Sequence, residues 1–328
     1  MNAWQKKRMA EAVLKKKKTK GEAQAELTPK EMEGLLRELV AMAGLGGLDA
    51  EEMEQLSASL DANSSPEGLS ADEEEVKSEA EELAWAAGEA ETDEQSRKLA
   101  KLALELDPDC VDALLVMVDL DCITEEQRIE GLRKAVEAGE RSLGTKFFRE
   151  NEGKFWERRE TRPYMRAMDS LAFALAEDGQ QQAAVKVYER MLLLNPSDNQ
   201  GARYELLGLY LAMDKVTLAN RLLRRYKTEV SATFAWGAVI ARFADDDIDG
   251  AEAALREAIK TNRFVALHLA GLESLPDYMP DFYAPGGVDE AALCQDYLEA
   301  AWVVHKKALF WVHDQLKQIG LDPARKKR

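Results

Sequence analysis

Histidine and cysteine are scarce in this 328-residue chain, with three of each. His305 and His313 stand eight apart on an expected helix, more than two turns, so they cannot share a metal ion with each other. Cys110, Cys122 and Cys294 are odd in number and scattered. That set suits neither a disulfide framework nor a zinc site, and it suggests a reducing, cytoplasmic setting with the thiols used as small core residues. Long apolar runs are missing too, since none approaches the ~18 residues needed to span a bilayer. No H-E-x-x-H, G-x-S-x-G or phosphate-loop spacing occurs, so no metal, cofactor or catalytic residue is expected. Basic charge is in deficit: 44 Lys and Arg against 61 Asp and Glu leave a net charge of −17. Such a field disfavours a nucleic-acid-binding body.

The charge is unevenly placed. Residues 1–20 hold eight basic side chains, among them Lys15 to Lys18, against Glu11 alone, which leaves −24 on the remainder. The stretch lacks an apolar run and a cleavage site, so a secretory signal is not expected. Residues 1–26 read as a basic flexible arm, and an RNA or ribosome contact through it is compatible with a binding role for the rest of the chain. Thr28-Pro29-Lys30-Glu31 is a capping box that opens a short helical unit over 27–60, with Gly44 to Gly47 as a helix stop. Residues 61–75 read as an acidic linker, and residues 321–328, with Arg325 to Arg328, as a basic tail.

Residues 76–265 repeat. With Met165 as position one of a 34-residue grid, Ala172 falls at eight, Ala184 at twenty, Tyr188 at twenty-four and Pro196 at thirty-two. Small residues at eight and twenty let two helices touch, which is the tetratricopeptide (TPR) pattern. Ala219 and Ala251 continue it downstream; Ala84, Ala103, Pro108, Leu132 and Ala135 continue it upstream. Thr92-x-x-Gln95, Thr124-x-x-Gln127 and Ser197-x-x-Gln200 mark helix starts independently. The expected fold is all-α: a TPR-like α-solenoid of about five helix pairs, preceded by the short helical unit. Asp245 to Gly250 imitates the front of a calcium loop, but Arg256 stands where the bidentate Glu belongs, so an acidic turn between helices is expected.

Residues 143–164 exceed the period and carry Phe147, Phe148, Phe155, Trp156, Arg162 and Tyr164. This insertion reads as an aromatic plug between repeat blocks or, with Trp156, Arg162 and Tyr164 exposed, as a binding face. Residues 266–320 read as a Pro-rich loop and one capping helix, over 289–319, whose stripe is Leu293, Tyr297, Ala301, Val304, Ala308 and Trp311.

Glu160 to Ala167, Leu194 to Tyr204, and Leu275 to Pro280 with Tyr283 to Gly287 resemble a set of poorly characterised bacterial TPR proteins. A related phrase occurs in the suppressor-of-tumorigenicity-7 family. The resemblance covers about residues 150–315 and implies a solenoid adaptor with no activity to carry over.

Function is therefore expected to be binding. By the family's geometry, position nine lines the concave face: Trp85, Met117, Phe173, Leu209 and Ile240, with Trp236 and Phe243 beside them. Asp169 and Phe173 replace the Lys and Asn of carboxylate-clamping members. A contiguous apolar surface of this kind needs a cover, either a partner's peptide or helix or the chain's own 143–164 insertion. The alternative is an enzyme site around 155–164 and 276–287, with Glu160 as base and Arg162 as anion clamp.

Overall fold

The computed structural model describes residues 71–276 and 282–322. The basic arm, the 27–60 unit, the linker as far as residue 70, residues 277–281 of the Pro-rich loop and the last six residues lie outside this range.

The described residues are all-α, with no strand among them. Five consecutive helix pairs come first: α1 (Ala71–Gly88) with α2 (Asp93–Leu106), α3 (Val111–Asp121) with α4 (Glu125–Asn151), α5 (Arg162–Glu177) with α6 (Gln181–Leu194), α7 (Ala202–Ala212) with α8 (Val216–Arg225), and α9 (Ala232–Ala244) with α10 (Ile248–Thr261). The members of each pair pack together. First helices also meet across pairs, α1 with α3, α3 with α5, and α7 with α9. Then come α11 (Arg263–Leu269), α12 (Val288–Val304) and α13 (Lys306–Gln318). Helix α1 already begins inside the stretch expected to be linker.

Local chemistry explains most boundaries. The Thr124 hydroxyl accepts from Gln127 N while Gln127 Oε1 accepts from Thr124 N, a complete capping box for α4. Thr92, Ser231, Asp247 and Asn262 cap α2, α9, α10 and α11 through their side chains. Asp247 Oδ1 accepts from Gly250 N and Asp247 Oδ2 from Arg242, so the acidic run is a turn. The box expected at Ser197 is not formed. Asp198 does the capping instead, accepting from the amides of Gly201, Ala202 and Arg203. Its charge suits the positive end of α7.

The small residues of the grid are fully buried: Ala103, Ala135, Ala172, Ala184, Ala219 and Ala251. At such places two helices approach without an intervening side chain. The excess residues at 143–164 extend α4 past a bend at Gly144 (φ 73°), then form the 3-10 turn Phe155–Glu157. Phe147, Phe148, Phe155 and Tyr164 pack as one ring cluster with centroids 5.1–6.2 Å apart. Arg190 of α6 lies over Phe148 and pairs with Glu152. The insertion is thus anchored on the second helix of the next pair.

Candidate functional site

The residues expected to line one apolar face meet different fates. Trp236 and Ile240 are fully buried, Leu209 and Phe243 half-buried. Helix α12 packs on both α7 and α9, and α13 packs on α9. Phe243 stacks on Trp311 of α13 at 5.2 Å. At the other end Trp85 is 69% exposed and Phe173 46%, with Met117 half-buried. The cover over α7 and α9 is therefore the C-terminal region and not the 143–164 insertion.

The expected single helix over 289–319 is also corrected. It breaks at His305, whose Nε2 lies 2.9 Å from the carbonyl oxygen of Leu211 at the end of α7. Its predicted stripe is only partly inward: Ala301 and Ala308 are buried, while Val304 is half exposed. Ala291, Cys294, Leu298 and Trp302 carry the burial with Ala301. Two contacts explain the docking. The backbone carbonyl of Tyr297 rests on Gly208 of α7, leaving no room for a Cβ. Buried Glu290 accepts from Ala232 N (3.0 Å), Asn262 Nδ2 (3.0 Å) and Gly286 N (2.7 Å), which ties α12 to the start of α9 and to the α10–α11 junction.

Of the insertion residues, Tyr164 is buried and its hydroxyl donates to Glu140. Arg162 is exposed and lies 5.6 Å over half-buried Trp156. Glu160 faces the α1–α3 side together with Glu81, Asp107, Asp109 and Asp112. An anion clamp at Arg162 and a base at Glu160 are not brought to one pocket by this arrangement, because Arg162 does not line it.

A cleft of about 280 Å³ opens where α5, α6, α7 and α12 meet, its walls including Asp169, Phe173, Tyr188, Gln200, Glu205 and Tyr297. Burial pushes Asp169 up to about 6, helped by the charge of Asp198. Glu205 is pushed up to about 7 by burial and then by Asp296, Asp169 and Glu177. Asp296 is raised by burial and by Glu177 and Glu299. Tyr188 and Tyr297 are driven upward by burial and by neighbouring carboxylates, Glu205 among them. In the sequence Phe173 and Asp169 stood out for the concave face, whereas Tyr188, Gln200 and Tyr297 were read as packing or capping residues. The overlooked signal was Glu205, an acid inside the otherwise apolar run of α7.

Among the described residues no group of three or more His, Cys, Asp or Glu side chains is placed to hold a metal ion. No helix among them is long and apolar enough to cross a membrane. No protein-family model matches the chain, and no curated protein matches it either.

Proposed function

We propose that this chain is a TPR-like solenoid, related to the bacterial proteins its sequence resembles, and that it works as a non-catalytic cytoplasmic scaffold. Its first helices line a concave face that takes a peptide or helix of a protein partner. The observation that carries this reading is the contrast along one grid position. Ile240 is buried in α9, on which α12 and α13 pack, whereas Trp85 and Phe173 stand open to solvent. Large exposed aromatics at one recurring grid position are the kind of anchor a binding face uses. Helix α12 supplies an example, within the chain, of what such a face accepts.

Arg162 lies over Trp156 and Tyr164 packs in the ring cluster, which favours the scaffold reading over an enzyme site at the insertion. An RNA contact through residues 1–26 involves residues outside the described range.

Selection from a displayed helical-peptide library tests the scaffold reading. Wild-type chain should enrich peptides with aromatic or aliphatic residues three and four apart, and the Trp85→Glu, Phe173→Glu double variant should lose them while keeping its helical circular dichroism. Both side chains are solvent-facing, so folding survives the charges. Equal enrichment by both proteins would remove the reading.

A further inference from the structure

The cleft between α5, α6, α7 and α12 has a chemistry unlike the apolar face beside it. We propose that it is a binding pocket for a cationic side chain, the guanidinium or ammonium of an Arg- or Lys-bearing peptide segment.

Four observations converge. First, the α7 N-terminus would ordinarily attract an anion, but Asp198 already consumes the amides of Gly201, Ala202 and Arg203 and pairs with Arg203 at 2.9 Å. That closes the floor to anions. Second, the cleft holds an unused hydrogen-bond acceptor. Gln200 donates its Nε2 to the Met165 carbonyl at 3.0 Å, which fixes the amide and leaves Oε1 buried without a donor. A buried acceptor left unpaired costs about 1–3 kcal/mol, so such groups usually await a ligand or water.

Third, the charge facing the cleft is nearly all of one sign. Asp169 of α5 and Glu205 of α7 line it, and Glu177, Asp198 and Asp296 stand near enough to act on one or both of them. Arg128 of α4 is the one cation among the lining residues, and its Nη1 is bound to Glu125 at 3.2 Å on its own helix. Fourth, Phe173 and the Tyr297 ring supply aromatic walls, over which a guanidinium or ammonium is attracted. Acceptors without donors, carboxylates without a bound cation and aromatic faces together fit a planar or compact cation.

That the ligand is a peptide rests on the scaffold reading, while the preference for a cation stands on the cleft alone. A bound cation favours the ionised carboxyls, so it must expel the protons that Asp169 and Glu205 hold near neutrality. Affinity should therefore rise with pH.

Titration calorimetry of the full chain with a Leu14–Lys20 peptide (LKKKKTK) and with its arginine counterpart tests this. Roughly tenfold tighter binding is expected at pH 8 than at pH 5.5, with proton release near pH 6.5 visible as a buffer-dependent heat. Asp169→Asn with Glu205→Gln should abolish the proton release and weaken binding at least tenfold. The control is Glu130→Gln with Glu257→Gln, which removes the same charge from exposed positions and should change little. Equal loss in both double variants would mean long-range attraction only and would overturn the pocket, as would absence of binding. Trp85 lies outside the cleft, so Trp85→Glu alone in the library test separates failure of the scaffold reading from failure of the pocket. Mutating Lys15 to Lys18 to Gln in the full chain separates the sources. Tighter binding of the added peptide assigns the natural cation to this chain's own basic segment, and unchanged binding assigns it to another protein.

Discussion

Glu205 sits in a helix that is otherwise almost wholly apolar, and the fold bears a cost for keeping it there. A carboxyl whose folded pKa exceeds its unfolded value holds its proton more tightly in the folded chain. Its contribution to stability is then fully present below the ordinary value of 4.5 and is lost as pH rises through about 7. Glu205→Gln mimics the protonated acid at every pH. The variant should melt with the wild type near pH 4.5 and above it at pH 8, by on the order of 1 kcal/mol or about 2–4 °C. A variant less stable than wild type at pH 8 would mean that Glu205 is held by a favourable partner. Stabilisation together with lost cation binding would mark Glu205 as retained for a ligand.

Helices α1 to α10 were legible in the sequence because most carry their own start signal or a small residue where the pair meets. Thr92, Thr124 and Ala184 needed no knowledge of distant contacts. Helix α12 was only half legible. Its existence follows from composition, but its seat depends on Gly208, on Glu290 and on the amide of Ala232, which lies 58 positions from Glu290. No periodicity encodes that meeting. The same reason hid the cleft, whose walls come from five helices. The break at His305 was missed because the bond to Leu211 spans 94 positions. Gly208→Ala isolates the docking. In a free helix the change stabilises by about 1 kcal/mol. Here the added methyl meets the Tyr297 carbonyl, which is backbone and cannot rotate away. The melting temperature should fall, and Trp302 and Trp311 fluorescence should shift red as α12 and α13 lift. A rise in stability would show that α12 can slide over α7 without loss.

Across the whole chain the apolar core is unequal. From Val118 to Leu316 one continuous cluster runs through Phe155, Tyr188, Trp236 and Trp302. The cluster under α1 to α3 is separate and built from Ala80, Ala84, Ala87, Ala100, Ala103, Cys110 and Ala113. An alanine methyl contributes far less than the roughly 1.5–3 kcal/mol gained by fully burying a Leu or Phe, since each buried carbon is worth about 0.8 kcal/mol. The ion pairs that join this layer to its neighbours add little. Arg141–Asp109 and Arg166–Asp112 are 58% and 51% exposed on their arginine sides, and such pairs are worth about 0–1 kcal/mol each. Helices α1 and α2 should therefore open as a unit below the global unfolding free energy, and the opening should ease as salt screens the half-exposed Arg97–Asp121 pair that joins α2 to α3. Native-state hydrogen exchange checks this: amides of α1 and α2 should exchange through a lower-energy opening than those of α5, α7 and α9. Equal protection throughout would make the alanine layer as firm as the rest. Trp85 lies on α1, so a peptide seated on it would couple its binding to this opening and raise protection in α1 and α2 first. A ligand confined to the Asp169–Glu205 cleft would instead raise protection in α7 and α12 and leave α1 and α2 unchanged, so the exchange pattern tells the two sites apart.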